Sequence, residues 1–216
     1  MLLNRLQSLL GGIYDARIGH DIYDFLITDR SRLPEKALSR GADEELVIAH
    51  DAQGCAMSLY IDPAVLDRLH AADPLRELHS GNVADFWTVL EGVSHFQYVA
   101  WNARHDKGVS LHELELQAEI DKYVSTFWMM RRQHPQRFPA ELARILFGKT
   151  RVDPALAGDR AALYRAATRH AERYCRNLEQ TLRQMAGGRD GEGILASLRR
   201  FYRWGNARKL AHIEGL

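Results

Sequence analysis

Four side chains in the middle of the chain have the types and spacing to act together. Glu91 and His95 stand four residues apart, as do Glu115 and Glu119, and on α-helices each pair shares one face. In an antiparallel helix hairpin turning near Lys107, equal rise per residue places positions summing to about 214 opposite each other. His95 then faces Glu119, Glu91 faces Tyr123 and Tyr98 faces Leu116.

Ionisable groups drawn to such a seam must be paired, protonated or metal-bound, because an unpaired buried charge is costly. One reading is therefore a metal centre, since helical bundles build such sites from inward Glu and His on facing helices. It implies a divalent transition metal as cofactor. Three of Glu91, His95, Glu115 and Glu119 would hold the ion and the fourth would move protons, with hydrolysis as the generic chemistry. The other reading is structural: His95 bonds Glu119 across the seam, with Tyr98, Tyr123 and Lys122 as further partners. A carboxylate beside His95 would then hold it protonated, whereas a metal ligand must be neutral. The motif is a single Glu-x-x-x-His, unlike the repeated Glu-x-x-His of dimetal bundles, and His112-Glu-Leu-Glu115 is not the HExxH of zinc proteases.

A second set of side chains is cationic. Residues 1–130 hold 11 Lys and Arg against 20 Asp and Glu, and residues 131–216 hold 18 against 8. Sixteen of those 18 are Arg, the residue suited to bidentate contact with carboxylate and phosphate. Arg165, Arg169, Arg173 and Arg176 recur at helical spacing, and Arg200 and Arg203 follow. Such a stripe suits nucleic acid, an acidic protein surface, or the acidic half of a second copy in a homo-oligomer. The bland reading is a solvated face, or one docked on the acidic half of the same chain. No recognition helix, zinc finger or RNP-like motif accompanies it.

Other chemistries lack their signals. There is no GxSxG, Walker A or GxGxxG, and Gly148-Lys149-Thr150 has neither the preceding strand nor the glycine spacing of a P-loop. Cys175 reads as a packed mid-helix thiol, and Cys55 and Cys175 form no metal-ligand spacing. Four Trp and the Phe201-Tyr202-Arg203-Trp204 run read first as internal packing. Two unpaired cysteines and no secretory leader suggest a cytoplasmic protein. No stretch approaches the ~20 apolar residues of a membrane span.

The elements that must position these groups follow from pattern. With 46% apolar and 26% charged residues, the chain is globular in composition. Residues 2–10 predict a helix stopped by Gly11-Gly12, with a second over 14–26. Residues 45–61 alternate as a β-hairpin with a turn at Asp51-Ala-Gln-Gly54. Two strands alone are marginal, so the hairpin must lie on helices or pair with another chain. Asp62-Pro63 opens a helix over 63–71. Asn82 caps 82–106, and Ser110-x-x-Glu113 is a capping box for 110–133. Further helices are expected from Pro139 to Phe147, from Asp159 to near Met185, over 193–203 and over 206–214, with a turn at Asp153-Pro154.

The expectation is an α+β, predominantly helical fold: a helical body around a long antiparallel helix hairpin, with one small β-hairpin. Residues 1–186 would form a single domain and 187–216 a C-terminal helical extension, with the joint at 187–193. The leading functional expectation is a non-enzymatic binding or assembly protein that engages an anionic macromolecule through its Arg-rich half. The alternative is a metal-dependent hydrolase at the Glu/His cluster.

Overall fold

A computed structural model describes residues 1–33, 42–51, 54–148, 158–184 and 191–216. The fold is the expected helical α+β, with eight helices and a three-stranded sheet among the described residues. The turn residues 52–53, Lys149-Thr150, Asp153-Pro154 and most of the 187–193 joint lie outside them.

Helix α1 (Leu2–Tyr14) buries Leu3, Leu6, Leu10, Ile13 and Tyr14. It runs through Gly11-Gly12 instead of stopping there, because Ile13 and Tyr14 bury a further turn. It ends at Asp15, left-handed at φ 50°, with the Ala16 N–H closing on the Gly11 carbonyl at 3.1 Å. The helix expected over 14–26 is replaced by a 3-10 turn, Ile22–Asp24, and a short strand β1 (Leu26–Ile27). Asp21 accepts a bond from the Tyr23 N–H at 2.9 Å, a local contact that competes with helix formation.

Strands β2 (Glu44–Asp51) and β3 (Gly54–Ile61) form the expected antiparallel hairpin, pairing Leu46 with Leu59. Strand β1 adds in parallel to the other edge of β3, giving the order β1-β3-β2. The hairpin thus gains a third strand and packs on helix, the first of the two solutions open to it. Asp62 caps α2 (Pro63–Ala71) through the Ala64 N–H.

Helices α3 (Val83–Ala103) and α4 (Leu111–Gln133) form the central hairpin. Contacts Trp87–Thr126, Glu91–Lys122 and Ser94–Asp121 fix a register close to the expected one. Asn82 occupies the N-cap position but its side chain bonds the preceding loop instead, at His79 N, Ala72 O and Glu77 O. Ser110 caps the Glu113 N–H, while the Glu113 carboxylate turns to Tyr98.

The larger departure concerns α4. An amphipathic helix should solvate one face, yet every residue from Glu115 to Phe127 is buried. The sheet covers part of α3, and α4 is enclosed by α3, α5 (Leu142–Gly148) and the long α6 (Gly158–Gln184). Helix α7 (Gly191–Tyr202) packs on α1, and α8 (Asn206–Glu214) on α6. Tyr202 stacks on Tyr14 at 4.3 Å and meets Tyr98 edge-on at 4.9 Å. Phe201 and Tyr202 are buried, so this aromatic run is internal packing, as is Cys175, whose thiol burial pushes well up.

Gly92 sets how closely sheet and hairpin approach. A Cβ there would lie 2.8 Å from Glu44 Oε2 and 2.9 Å from Leu59 Cδ1. Glycine lets this face of α3 receive the Glu44 and Leu59 side chains where they stand; any larger residue would have to displace their ends.

Candidate metal centre

The expected cluster forms, with a different pairing inside it. Glu91, His95 and Glu115 each present a ligand atom within 4.8 Å of the others, and this is the one such group of His, Cys, Asp or Glu among the described residues. His95 Nε2 lies 3.8 Å from Glu115 Oε2, too far for a hydrogen bond. His95 therefore meets Glu115 where Glu119 was expected. The α4 surface turns Glu119 toward Lys122 of its own helix, whose ammonium donates to Glu119 Oε1 at 2.8 Å and to Glu91 Oε2 at 3.0 Å. Glu91 thus faces Lys122 and not Tyr123, and Tyr98 bonds Glu113 one turn from the expected Leu116.

A sixth polar group comes from the sheet. Glu44, at the start of β2, enters the cluster over Gly92 and lines the same cavity as Glu91, His95 and Glu115. Sequence reasoning missed it, because nothing local to the β run says which helix it meets. A glycine inside a strongly helical stretch was the available signal of close approach.

The electrostatics follow from four carboxylates and one buried ammonium. Burial, then repulsion from Glu91 and Glu115, pushes the Glu44 carboxyl well up. Burial and the Glu91 charge likewise push Glu115 up to about 8. Burial raises Glu119 too, against the opposing pull of Lys122. Burial also works to raise Glu91, but the Lys122 ammonium outweighs it and holds this carboxylate below its usual range. Burial would lower Lys122; its two carboxylate partners instead hold it above the ordinary lysine range. Burial lowers His95 to about 4 despite Glu91. The imidazole is therefore neutral, contrary to the expectation that a nearby carboxylate would hold it protonated: desolvation outweighs the single attraction.

Three atoms of this cluster are buried with no hydrogen-bond partner: Glu44 Oε2, His95 Nε2 and Glu119 Oε2. Such atoms are rare in folded proteins and call for an explanation such as a bound ion or a catalytic role. The cavity above them has a volume of about 190 Å³. Arg160 and Tyr164 of α6 complete its wall. The Arg160 guanidinium lies 5.9 Å from the Tyr164 ring, and Tyr164 neighbours Glu115.

The other flank of the hairpin carries a second polar cluster. Lys209 of α8 is fully buried. Its ammonium donates to the Tyr98 hydroxyl at 2.7 Å and to Gln117 Oε1 at 2.8 Å, and lies 3.8 Å from Glu113. Tyr98 donates to Glu113 at 2.5 Å, while Gln117 and Ser94 donate to the two oxygens of Asp121 at 2.7 and 2.6 Å. No side-chain atom of these six residues is among the buried unpartnered ones.

The arginines divide. Arg165, Arg169 and Arg200 are exposed, and their side chains carry no hydrogen bond or ion pair to another described residue. Arg173 donates to the Glu214 carbonyl at 2.9 Å, and Arg176 pairs with Glu172 at 2.6 Å. Arg203 bonds the carbonyls of Arg199 and Asp15, and Arg199 bonds those of Gly12 and Ile13. These last contacts cap the C-terminus of α1, where cations are favoured. The basic half therefore spends part of its charge on its own chain.

Compared with known protein families, with curated proteins and with solved structures, the chain matches none. Among the described residues, no helix is long and apolar enough to cross a membrane.

Proposed function

We propose that the protein is a metal-dependent hydrolase whose divalent transition metal is held by Glu91, His95 and Glu115. The observation that carries this reading is the convergence of three donor atoms within 4.8 Å, one of them a buried imidazole nitrogen with no partner, beneath a polar cavity. A tetrahedral ion at ~2.1 Å from its ligands spaces them roughly 3.4 Å apart. Reaching that spacing from separations of up to 4.8 Å takes a closure of up to about 1.4 Å, within the reach of side-chain rotation.

A bound ion would supply an activated water. Lys122 orients Glu91 by holding one of its oxygens, the supporting role that outer-shell partners play at metal sites. Glu44 lines the cavity and Glu119 does not. The charge of a bound ion would oppose the burial and repulsion that raise the Glu44 carboxyl, and once ionised Glu44 would accept the water's proton and return it to the leaving group. The cavity, at about 190 Å³, is below the ~300–1,000 Å³ of sites that enclose drug-sized ligands. It suits the scissile group of a substrate whose remainder stays outside.

The test is turnover of carboxylic-ester, amide and phosphoester substrates by metal-free protein reloaded with zinc, manganese or cobalt. Metal-dependent turnover that falls at least a hundredfold in His95→Ala and Glu115→Gln supports the reading. Turnover that persists in both variants, or no metal-dependent turnover on any substrate class, overturns it.

A second reading rests on Arg165 and Arg169, which share an exposed face of α6 and whose side chains have no partner among the described residues. In that reading the α6 face, with Arg173 and Arg176 further along the same helix, engages nucleic acid or an acidic protein surface. Steep loss of binding with salt, and its abolition by Arg165→Glu with Arg169→Glu, are the expected signs. Salt-insensitive binding would reject it.

A further inference from the structure

A groove lies away from both clusters, between the N-terminal turns of α1, the C-terminal turns of α4 and the loop 72–78. Its volume is about 820 Å³. Leu9, Leu75, Trp128 and Met129 form its floor, and Arg5, Arg76 and Arg132 stand around it. No Asp, Glu or Lys lines it.

That composition is informative. Protein-binding surfaces are enriched in aromatic residues, Met and Arg and depleted in Lys, Glu and Asp. Energetic anchors are most often Trp, Tyr and Arg. Trp128 is half-buried, so one part of its ring is held by the core and the rest faces the groove. The sign of the charge is one-sided as well. Arg76 and Arg132 are exposed, and their guanidinium groups bond no other described residue. Arg5 pairs with Asp73 at 3.2 Å, an exposed contact of the kind that contributes little and exchanges readily.

The groove wall is fixed before any partner arrives. Gln133, in the last turn of α4, donates to the Pro74 carbonyl at 2.9 Å and accepts from the Leu78 N–H at 2.9 Å. Both bonds pin the 72–78 loop against α4. Preorganisation of this kind lowers the ordering cost of binding.

We propose that this groove is a docking site for an acidic segment of a partner protein, seating an aromatic or aliphatic side chain against Leu9, Leu75 and Trp128 while carboxylates on either side meet Arg76 and Arg132. A nucleic acid fits less well: three arginines make a short electrostatic track, and a half-buried Trp offers only part of a stacking face.

Selection of a random dodecapeptide library on the full chain tests this, run in parallel on an Arg76→Glu/Arg132→Glu double variant. Both positions are exposed, and circular dichroism with a thermal melt checks that the variant folds. The expected result is enrichment, on the unaltered chain alone, of peptides with Asp or Glu flanking Leu, Phe or Trp. The best peptide, synthesised with a fluorescent label, should bind the double variant at least tenfold more weakly and lose affinity as salt rises. Failure to enrich a consensus, or equal enrichment on the double variant, overturns the proposal. So does a labelled oligothymidylate that binds the same arginines more tightly than the best peptide.

Discussion

The two flanks of the α3–α4 hairpin both bury polar side chains, the Lys209 flank more completely, but satisfy them differently. On one, Ser94, Asp121, Gln117, Lys209, Tyr98 and Glu113 are linked in that order by an unbroken chain of hydrogen bonds, with the ammonium also over the Tyr98 ring at 4.4 Å. On the other, Glu44, Glu91, His95, Glu115, Glu119 and Lys122 crowd four carboxylates around one ammonium and leave three buried atoms unmade. A completed network rigidifies a core, while a half-satisfied one is less stable than an apolar core would be. The contrast teaches that the depth of a polar group says little about its role. What separates a fastener from a site is whether the protein alone completes its bonds.

The comparison makes the two flanks respond oppositely to substitution. The largest effect should come from Lys209→Met, which keeps the side-chain volume but removes the donor to Tyr98 and Gln117. Leaving those groups and Glu113 buried without their cation should cost about 3 kcal/mol, read as a lowered midpoint in urea unfolding. A loss below about 1 kcal/mol would mean that the closed flank is no fastener.

Next is Gly92→Ala. The added methyl meets Glu44 and Leu59 at under 3 Å, and overpacking of this kind costs ~1–3 kcal/mol. The variant should also push Glu44 out of the cluster, so metal affinity should fall with stability. Unchanged affinity would remove Glu44 from the site.

A pH profile sharpens the contrast on the closed flank. Burial pushes the Lys209 ammonium down to about 7 from its ordinary 10.5, against the pull of Glu113 and Asp121. Between those values the unfolded chain binds the proton more readily than the folded one. Stability should therefore rise with pH from about 7 toward 10.5 and be lost as pH falls through 7. Burial raises Asp121, the other carboxyl on this flank, only to about 6, so its window lies lower. Tyr98 is raised by burial and by Glu113, above this range. Lys209→Met should flatten the rise; a rise that survives comes from another group.

The smallest effect should have the opposite sign. Glu115→Gln removes one of four crowded carboxylates without changing shape, and metal-free stability should increase by about 0.5–1 kcal/mol, as is common when a functional site is relieved of strain. A clear loss would mark Glu115 as structural.

Much of this was legible in the chain. The caps at Asp62 and Ser110 and the spacing of apolar residues place α2, α3 and α4 within a few residues, and the antiparallel register follows from hairpin geometry. Glu91 and His95 share a face because of their spacing alone. The partner of His95 was not legible: a one-turn change of neighbour, from Glu119 to Glu115, depends on how Lys122 draws Glu119 away. The full burial of α4 was also hidden. Its polar sequence suggests a solvated face, and its enclosure comes from α6, whose residues lie far along the chain. Glu44 is the clearest loss, because only the tertiary approach of β2 to Gly92 brings it in. The 14–26 segment fails for a local reason, the side chain of Asp21 competing for a backbone N–H.

The central claim, that the open flank is completed by an ion, is tested most directly by calorimetric titration of metal-free protein with zinc, beside His95→Ala and a Glu113→Gln control on the closed flank. One equivalent should bind to the unaltered chain and to Glu113→Gln and be lost in His95→Ala, with the thermal midpoint rising on loading only where metal binds. Absence of stoichiometric binding to the unaltered chain, or binding that His95→Ala leaves intact, would contradict it.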